Sequence, residues 1–344
     1  MRPPEMSQVR LSLAIALSAL ALIAGCHRRA TRPEVIVYVS VDQVHAEPVL
    51  REFERQSGIS VRAVYDVEAS KTTGLANRIA AERSRPQADV FWNGEFVQTL
   101  RLKSEGLLGA SNPPAAAALP GQMRDPEGQW FANGARFRAI LINTGKLGAS
   151  DRPQRFEDFV SPRWPGNDLA IALPLFGTSS AQAAALYATM GPDKARGLYQ
   201  QMSRRGVRVA DGNSVVRDLV AQGRASAGWT DSDDSCEAIA NGAPVEMVFP
   251  DQEGDGTLMI PGTVAKVAGA PHSREAEALI DFLLQPATEK MLIDSGFFQI
   301  SVRPGGPVHP CLRGRTVKTL TIGLPAIAAQ LDRSRVDMTA IFNR

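Results

Sequence analysis

EVIVYVS at residues 34–40 is a run of β-branched and aromatic side chains, the composition of a buried strand. Behind it, AEPVLREFERQ at 46–56 places Val49, Leu50 and Phe53 at helical spacing, and Gly58 stops that helix. ISVRAVYDV at 59–67 alternates apolar and polar residues as a strand does, 70–83 is helical by composition, and ADVFW at 88–92 is strand-like again. Strand, helix, strand, helix, strand is the order of a parallel α/β sheet.

Further along, 96–108 reads as a helix, SNPPAAAALPG (111–121) as irregular chain, and WFANGARFRAILIN (130–143) as a long strand that crosses into a second lobe. That lobe is expected to hold strands at 169–173, 207–210 and 225–229, with helices at 179–190, 193–205 and 215–222. GTLMIPGTVAKVA (256–268) crosses back, and a helix at 275–284 helps to finish the first lobe. The expected division is 34–135 plus 265–310 for lobe 1, 136–264 for lobe 2, and a helical segment, 311–344, packing on the lobes.

The chain has 344 residues, 44% of them hydrophobic and 22% charged, with a formal charge of +2. Lys and Arg are dispersed rather than clustered with aromatics, so no groove for nucleic acid is expected. Before residue 26, Arg2 and Arg10 flank a polar start, and an uncharged apolar run, LSLAIALSALALI at 11–23, follows it. Thirteen residues fall short of the about 20 that span a bilayer, so 1–25 reads as a secretory signal. IAGC at 23–26 resembles the lipobox of bacterial lipoproteins, which implies a diacylglycerol on Cys26, a leash at 26–33 and a body tethered to a membrane on its extracytoplasmic, periplasmic face. Cys236 and Cys311 remain, 75 positions apart, and either pair or stay as buried thiols.

VIVYVSVDQ (35–43), ISVRAVYDVEASKTTGLANRIAAE (59–82), ADVFWNGE (88–95), FEDFVSPRWPGNDLAIALPLFGTSSAQ (156–182) and PDQEGDGTLMIPGTVA (250–265) together resemble the family 1 extracellular solute-binding proteins, in particular their ferric-iron-binding branch. The resemblance implies a type II periplasmic binding protein: two α/β lobes joined by two crossing strands, closing on a solute and handing it to the permease and ATPase subunits of an ABC importer. It implies a monomer without a resident cofactor, any metal being the transported ligand. A small polar or anionic solute is the first expectation. The alternatives are ferric or another metal ion, and a sensor lipoprotein that signals to a membrane partner.

In open α/β sheets, ligands lie beyond the carboxyl ends of strands, where helix N-termini offer unpaired N–H groups. Four junctions have that form: Ser40, Asp42 and Gln43; Glu68, Ser70 and Lys71; Thr178, Ser179 and Ser180; Asn213 and Ser214. Helix capping favours the same residue types for a local reason. Trp92 and Asn93, ending the third strand, and Arg136, in the crossing, are expected to face the same cleft.

The ferric branch binds iron with tyrosinates, commonly an adjacent pair, but the tyrosines here (Tyr38, Tyr65, Tyr187, Tyr199) are never adjacent and lie in strands and helix cores. Where the pair is expected, after ASAGW, stand Thr230, Asp231, Ser232, Asp233 and Asp234. Three readings stand open for these carboxylates: metal ligands (Asp231, Asp233, with Glu68), caps of a helix running to Asn241, or groups that recognise a cationic or hydroxylated part of an organic solute. The acidic run 251–256 lacks the closing glutamate of a calcium loop and reads as a surface turn. No G-x-S-x-G, H-E-x-x-H or P-loop pattern occurs, and of His27, His45, His272 and His309 only His45 adjoins a predicted junction, so an enzyme is not expected.

Overall fold

The computed structural model describes residues 32–66 and 72–342. The expected leader, the lipid-bearing Cys26 and its leash, and the junction residues Glu68, Ser70 and Lys71 therefore lie outside the described residues.

Strand β1 (Glu34–Val39) sits between β2 (Ser60–Tyr65) and β3 (Val90–Asn93), parallel to both. Alternation along β1 feeds two cores. Val35, Val37 and Val39 face helix α1 (Gln43–Ser57), while Tyr38 packs with α2 (Thr73–Ala81) and α3 (Val97–Ser104). A helix layer on each face explains why the strand sequence is nearly continuous in apolar character. Helix α3 ends earlier than expected: Gly106 takes a φ of 70° and the chain enters a short strand, β4 (Leu108–Gly109).

Two long strands cross the middle of the sheet. β5 (Phe131–Asn143) pairs antiparallel with β10 (Met259–Val267) through its first half and with β8 (Ala227–Asp231) and β9 (Val245–Val248) through its second. β6 (Leu169–Ala172) and β7 (Arg208–Ala210) continue from β8, giving the order β2-β1-β3-β10-β5-β8-β6-β7. Helices α4 (Gly177–Met190) and α5 (Pro192–Arg204) cover one face of this second half, and α6 (Asn213–Ala221) and α7 (Ser232–Ala240) the other. Both α4 and α6 start two residues before their expected positions, so the hydroxyl and amide residues of the junctions lie in their first turns.

Helices α8 (Ser273–Leu283) and α9 (Pro286–Asp294) pack beneath β1, opposite α2 and α3. At the C-terminal end, α10 (Leu324–Ala328) contributes Ile327 to the core shared by α2, α3 and α4, and α11 (Leu331–Phe342) contributes Met338 to the core beside α5. This is the two-lobed α/β architecture expected, with β5 and β10 as the crossing strands.

The crossing is built around one ring. A Cβ on Gly134 of β5 would lie 2.2 Å from Phe298 Cδ2, and one on Gly262 of β10 would lie 2.3 Å from its Cζ. Two side-chain-free positions on neighbouring strands thus seat Phe298, and the register shift between Pro261 and Thr263 falls at the same place.

Candidate functional site

Arg136 and Arg138 are two residues apart on β5 and share a face of the strand. Across the ladder, Arg138 is paired in register with Asp231, the last residue of β8. Their side chains meet: Arg138 Nη1 donates to Asp231 Oδ1 at 2.6 Å, with both groups buried. The second oxygen of Asp231 accepts from Thr178 Oγ1 at 2.6 Å and from Asn213 Nδ2 at 3.1 Å, so the first turns of α4 and α6 converge on one carboxylate. Asn213 Nδ2 also donates to Thr178 Oγ1 at 2.8 Å, which closes the network. An ion pair removed from water in this way is sustained only when its remaining hydrogen-bonding capacity is met.

Arg136 stands beside this knot with only 5% of its surface exposed. Its Nε lies 3.3 Å from Asp231 Oδ2 and its Nη1 3.6 Å from Asp233 Oδ2, yet neither nitrogen makes a hydrogen bond within the described residues. The guanidinium carbon sits 4.8 Å from the Phe297 ring centroid. Burial works against its charge, but Asp233, Asp231, Asp42 and Asp234 outweigh that and hold the proton more firmly than usual. Asp234 moves the other way: burial, then Asp233 and Asp231, push its carboxyl well above the ordinary range, although it accepts from Thr230 Oγ1 at 2.9 Å.

These groups border a cavity of about 580 Å³. Arg136 and Asp231, both buried, are among its lining residues. One wall is formed by the starts of α4 (Gly177, Thr178, Ser179) and α6 (Gly212, Asn213, Ser214), and the other by Ser40, Asp42 and His45 at the start of α1. The first N–H groups of a helix have no acceptor within it and carry the positive end of its dipole. Glu95 also borders the cavity, completely buried, accepting from the N–H groups of Val97 and Gln98 at the head of α3. Burial raises its pKa to about 7, against the hydrogen bonds from Asn93, Gln98 and Val97.

Of the residues expected from sequence, Ser40, Asp42, Arg136, Thr178, Ser179, Asn213, Ser214 and Asp231 border the cavity, as does Asp233. Five others do not. Trp92 is fully buried in the core among Val37, Val90 and Val264, and Asn93 turns inward to Ser40 Oγ, Thr99 Oγ1 and Glu95. Both faces of β3 are covered by helices, so alternation does not send either side chain to a cleft. Gln43 instead donates to Glu47 along α1, Ser180 to the Gly177 carbonyl, and Thr230 to Asn213 and Asp234 behind the wall.

Sequence reasoning missed Arg138, Glu95 and Arg217, and placed His309 outside the cleft although it lies in the cavity wall with Asp294, Ser295 and Gly296. The R-x-R spacing on β5 was an available signal for Arg138. No local pattern could bring residues 294–309 to a site formed by residues 40–234. Cys236 and Cys311, left open above, are joined as a disulfide that ties α7 to the turn at Pro310–Leu312.

Asp231, Asp233 and Asp234 each offer an oxygen within 4.8 Å of the others, the spacing of a cation seat. Asp231 is already paired with Arg138 and Arg136, however, and burial beside Asp233 and Asp231 pushes the Asp234 carboxyl up. No tyrosine borders the cavity: Tyr38, Tyr187 and Tyr199 are buried in the cores, and Tyr65 packs against one.

Among known proteins, the chain is 25% identical over 313 residues to the major ferric iron-binding protein of Neisseria meningitidis, covering 88% of each chain. Its fold superposes with a TM-score of 0.81 on a ferric-binding protein from Campylobacter jejuni, at 19% identity over 90% of this chain and 99% of that one. It superposes with a TM-score of 0.79 on the periplasmic binding protein AfuA of Actinobacillus pleuropneumoniae with fructose-6-phosphate bound, at 21% identity over 91% and 99%. The family model for bacterial extracellular solute-binding proteins, transport proteins that deliver ligand to an ABC permease and ATPase, matches residues 85–313. With about two thirds of its length inside that match, the chain belongs to the bacterial extracellular solute-binding proteins.

Proposed function

We propose that the cavity captures a small organic anion, its anionic head seated between the N-termini of α4 and α6 and against Arg136. The observation that carries this reading is Arg136 itself: a buried guanidinium lining the cavity whose Nε and Nη1 make no hydrogen bond to the described residues, flanked by two helix starts. A phosphate, phosphonate or carboxylate oxygen reaching this guanidinium from the cavity would compete for it with Asp231 and Asp233, which hold it only at 3.3 and 3.6 Å. Asp42 and Asp233 then suit hydroxyl or ammonium groups elsewhere on the solute. The cavity volume, about 580 Å³, falls within the roughly 300–1,000 Å³ of small-molecule sites.

Ferric ion is the weaker cargo for this site. A hard trivalent cation needs several anionic oxygens, and here the central carboxylate is shared by two arginines and no phenolate is within reach. Relatives that bind iron and a neighbour that holds a sugar phosphate share this fold, so the side chains of the site decide the cargo.

The full reading is a monomeric protein, lipid-anchored through Cys26 on the periplasmic side, that traps its solute by closure about β5 and β10 and passes it to the permease. No helix among the described residues is long and apolar enough to cross a membrane. Calorimetry of the purified protein against inorganic phosphate, alkyl- and aminoalkylphosphonates, sugar phosphates and ferric citrate tests the cargo. Binding of a phosphorus-containing or carboxylate anion, weakened at least about tenfold in Arg136→Gln, supports it. Stoichiometric iron binding with no response to the organic anions would refute it.

A further inference from the structure

We propose that the cavity wall carries a second site that opens on reduction: once the Cys236–Cys311 disulfide is broken, the two thiolates and the His309 imidazole bind one thiophilic cation of the Zn²⁺ class. The inference is independent of what solute the cavity captures.

Cys236 lies one turn into α7, buried, with its edge in the cavity wall. Cys311 is in the centre of the short turn Pro310–Leu312, and His309 immediately precedes that turn. The two Cα atoms are 5.8 Å apart, and one ligand atom from each of the three residues lies within 4.8 Å of the others. Zinc holds sulfur at about 2.3 Å and imidazole nitrogen at about 2.0–2.1 Å, so tetrahedral ligands sit roughly 3.3–3.8 Å from one another. The three groups are therefore already grouped at coordination scale. Only separation of the two sulfurs is needed, and reduction supplies it.

The imidazole is placed for this. His309 Nδ1 accepts one long hydrogen bond, 3.3 Å, from the Cys311 N–H, which keeps the ring beside the turn that carries the thiol; ligation through Nδ1 would replace that weak bond. Cys236 and His309 both border the cavity, so a metal held by them would have space for a further ligand on that side. Three protein ligands and one open position are also the ligand count of catalytic, as opposed to closed structural, zinc sites.

The chemistry balances with a dithiol as reductant. One of its thiolates attacks a protein sulfur, breaking the S–S bond and forming a mixed disulfide; its second thiol displaces the other protein thiolate. Two electrons pass to the protein sulfurs, and the reductant leaves as a cyclic disulfide. Metal binding then releases the thiol protons to solvent.

The test uses the mature protein, oxidised or reduced by a dithiol and freed of it without oxygen. Zn²⁺ is titrated against a chromophoric chelator, and Cd²⁺ reports thiolate ligation by its charge-transfer absorption. The reduced protein is expected to take up one equivalent and show that band, with neither in the oxidised protein. His309→Ala, which keeps the disulfide and so its fold under oxidising conditions, should weaken Zn²⁺ by at least about tenfold after reduction, the loss that even an outer-shell partner causes. A Cys236→Ser/Cys311→Ser double variant accounts for any metal held by the nearby aspartates. Uptake by the reduced protein no greater than by the double variant, or undiminished in His309→Ala, would overturn the proposal.

Discussion

Asp231 stands opposite Arg138 in the ladder and is the only carboxylate within salt-bridge distance of that buried guanidinium among the described residues. Replacing it with asparagine strands a charge that is 1% exposed, and should cost about 3–5 kcal/mol in urea unfolding. Asp233→Asn, at the more exposed end of the cluster, should leave stability within about 0.5 kcal/mol and alter solute affinity instead. Glu95 makes a separate prediction. Its pKa of about 7 in the folded protein lies above the ordinary 4.5, so between those values the folded state holds the extra proton. Stability must therefore fall as pH rises from about 4.5 to 7, by about 3 kcal/mol on this residue's account. Glu95→Gln keeps an acceptor for the α3 head and should flatten that slope, which unfolding curves at pH 5 and pH 7 would measure. Thr178, Asn213 and Asp231 were legible in the sequence because polar residues following an apolar strand have little to do but cap or bind. Trp92 and Asn93 were misplaced because period-two alternation says which residues share a face, never which face a two-sided sheet leaves open.

Gly228 shows how a whole element is positioned. A Cβ there would lie 2.4 Å from Val216 Cγ1 and 3.1 Å from Val220 Cγ2, so β8 and α6 approach as closely as they do because this side chain is absent. Gly228→Ala should push α6 outward, destabilise by about 1–3 kcal/mol, and lower solute affinity by moving Asn213 and Ser214. Thermal unfolding together with calorimetry would detect both effects; full affinity in a destabilised variant would show that the start of α6 is not part of the site. The seating of Phe298 on Gly134 and Gly262 has the same logic at the crossing, and a methyl group at either glycine forces the ring away from β5 and β10. Strand and helix order was legible in the sequence because each apolar run is bounded by glycine, proline or a cap. Element ends were less so: α4 and α6 begin at residues 177 and 213 because their hydroxyl and amide side chains enter the first turn rather than preceding it.

At the scale of the molecule, two halves of one sheet share β5 and β10, and the cavity is assembled from strand ends and helix starts that are distant in sequence. The fold was therefore readable from local patterns, whereas the far wall, with Asp294 and His309, depends on long-range packing that no local pattern carries. The expected export and tether also belong to this scale: full-length protein should partition with membranes, and Cys26→Ser should release it to the soluble fraction. The central claim concerns the cargo, and calorimetric titration of the purified, metal-analysed protein with organic anions tests it most directly. Metal-free protein should bind a phosphorylated, phosphonylated or carboxylated small molecule, and Arg136→Gln should weaken that binding at least about tenfold. Tightly held iron that persists in Arg136→Gln, with no heat from any organic anion, would contradict that claim.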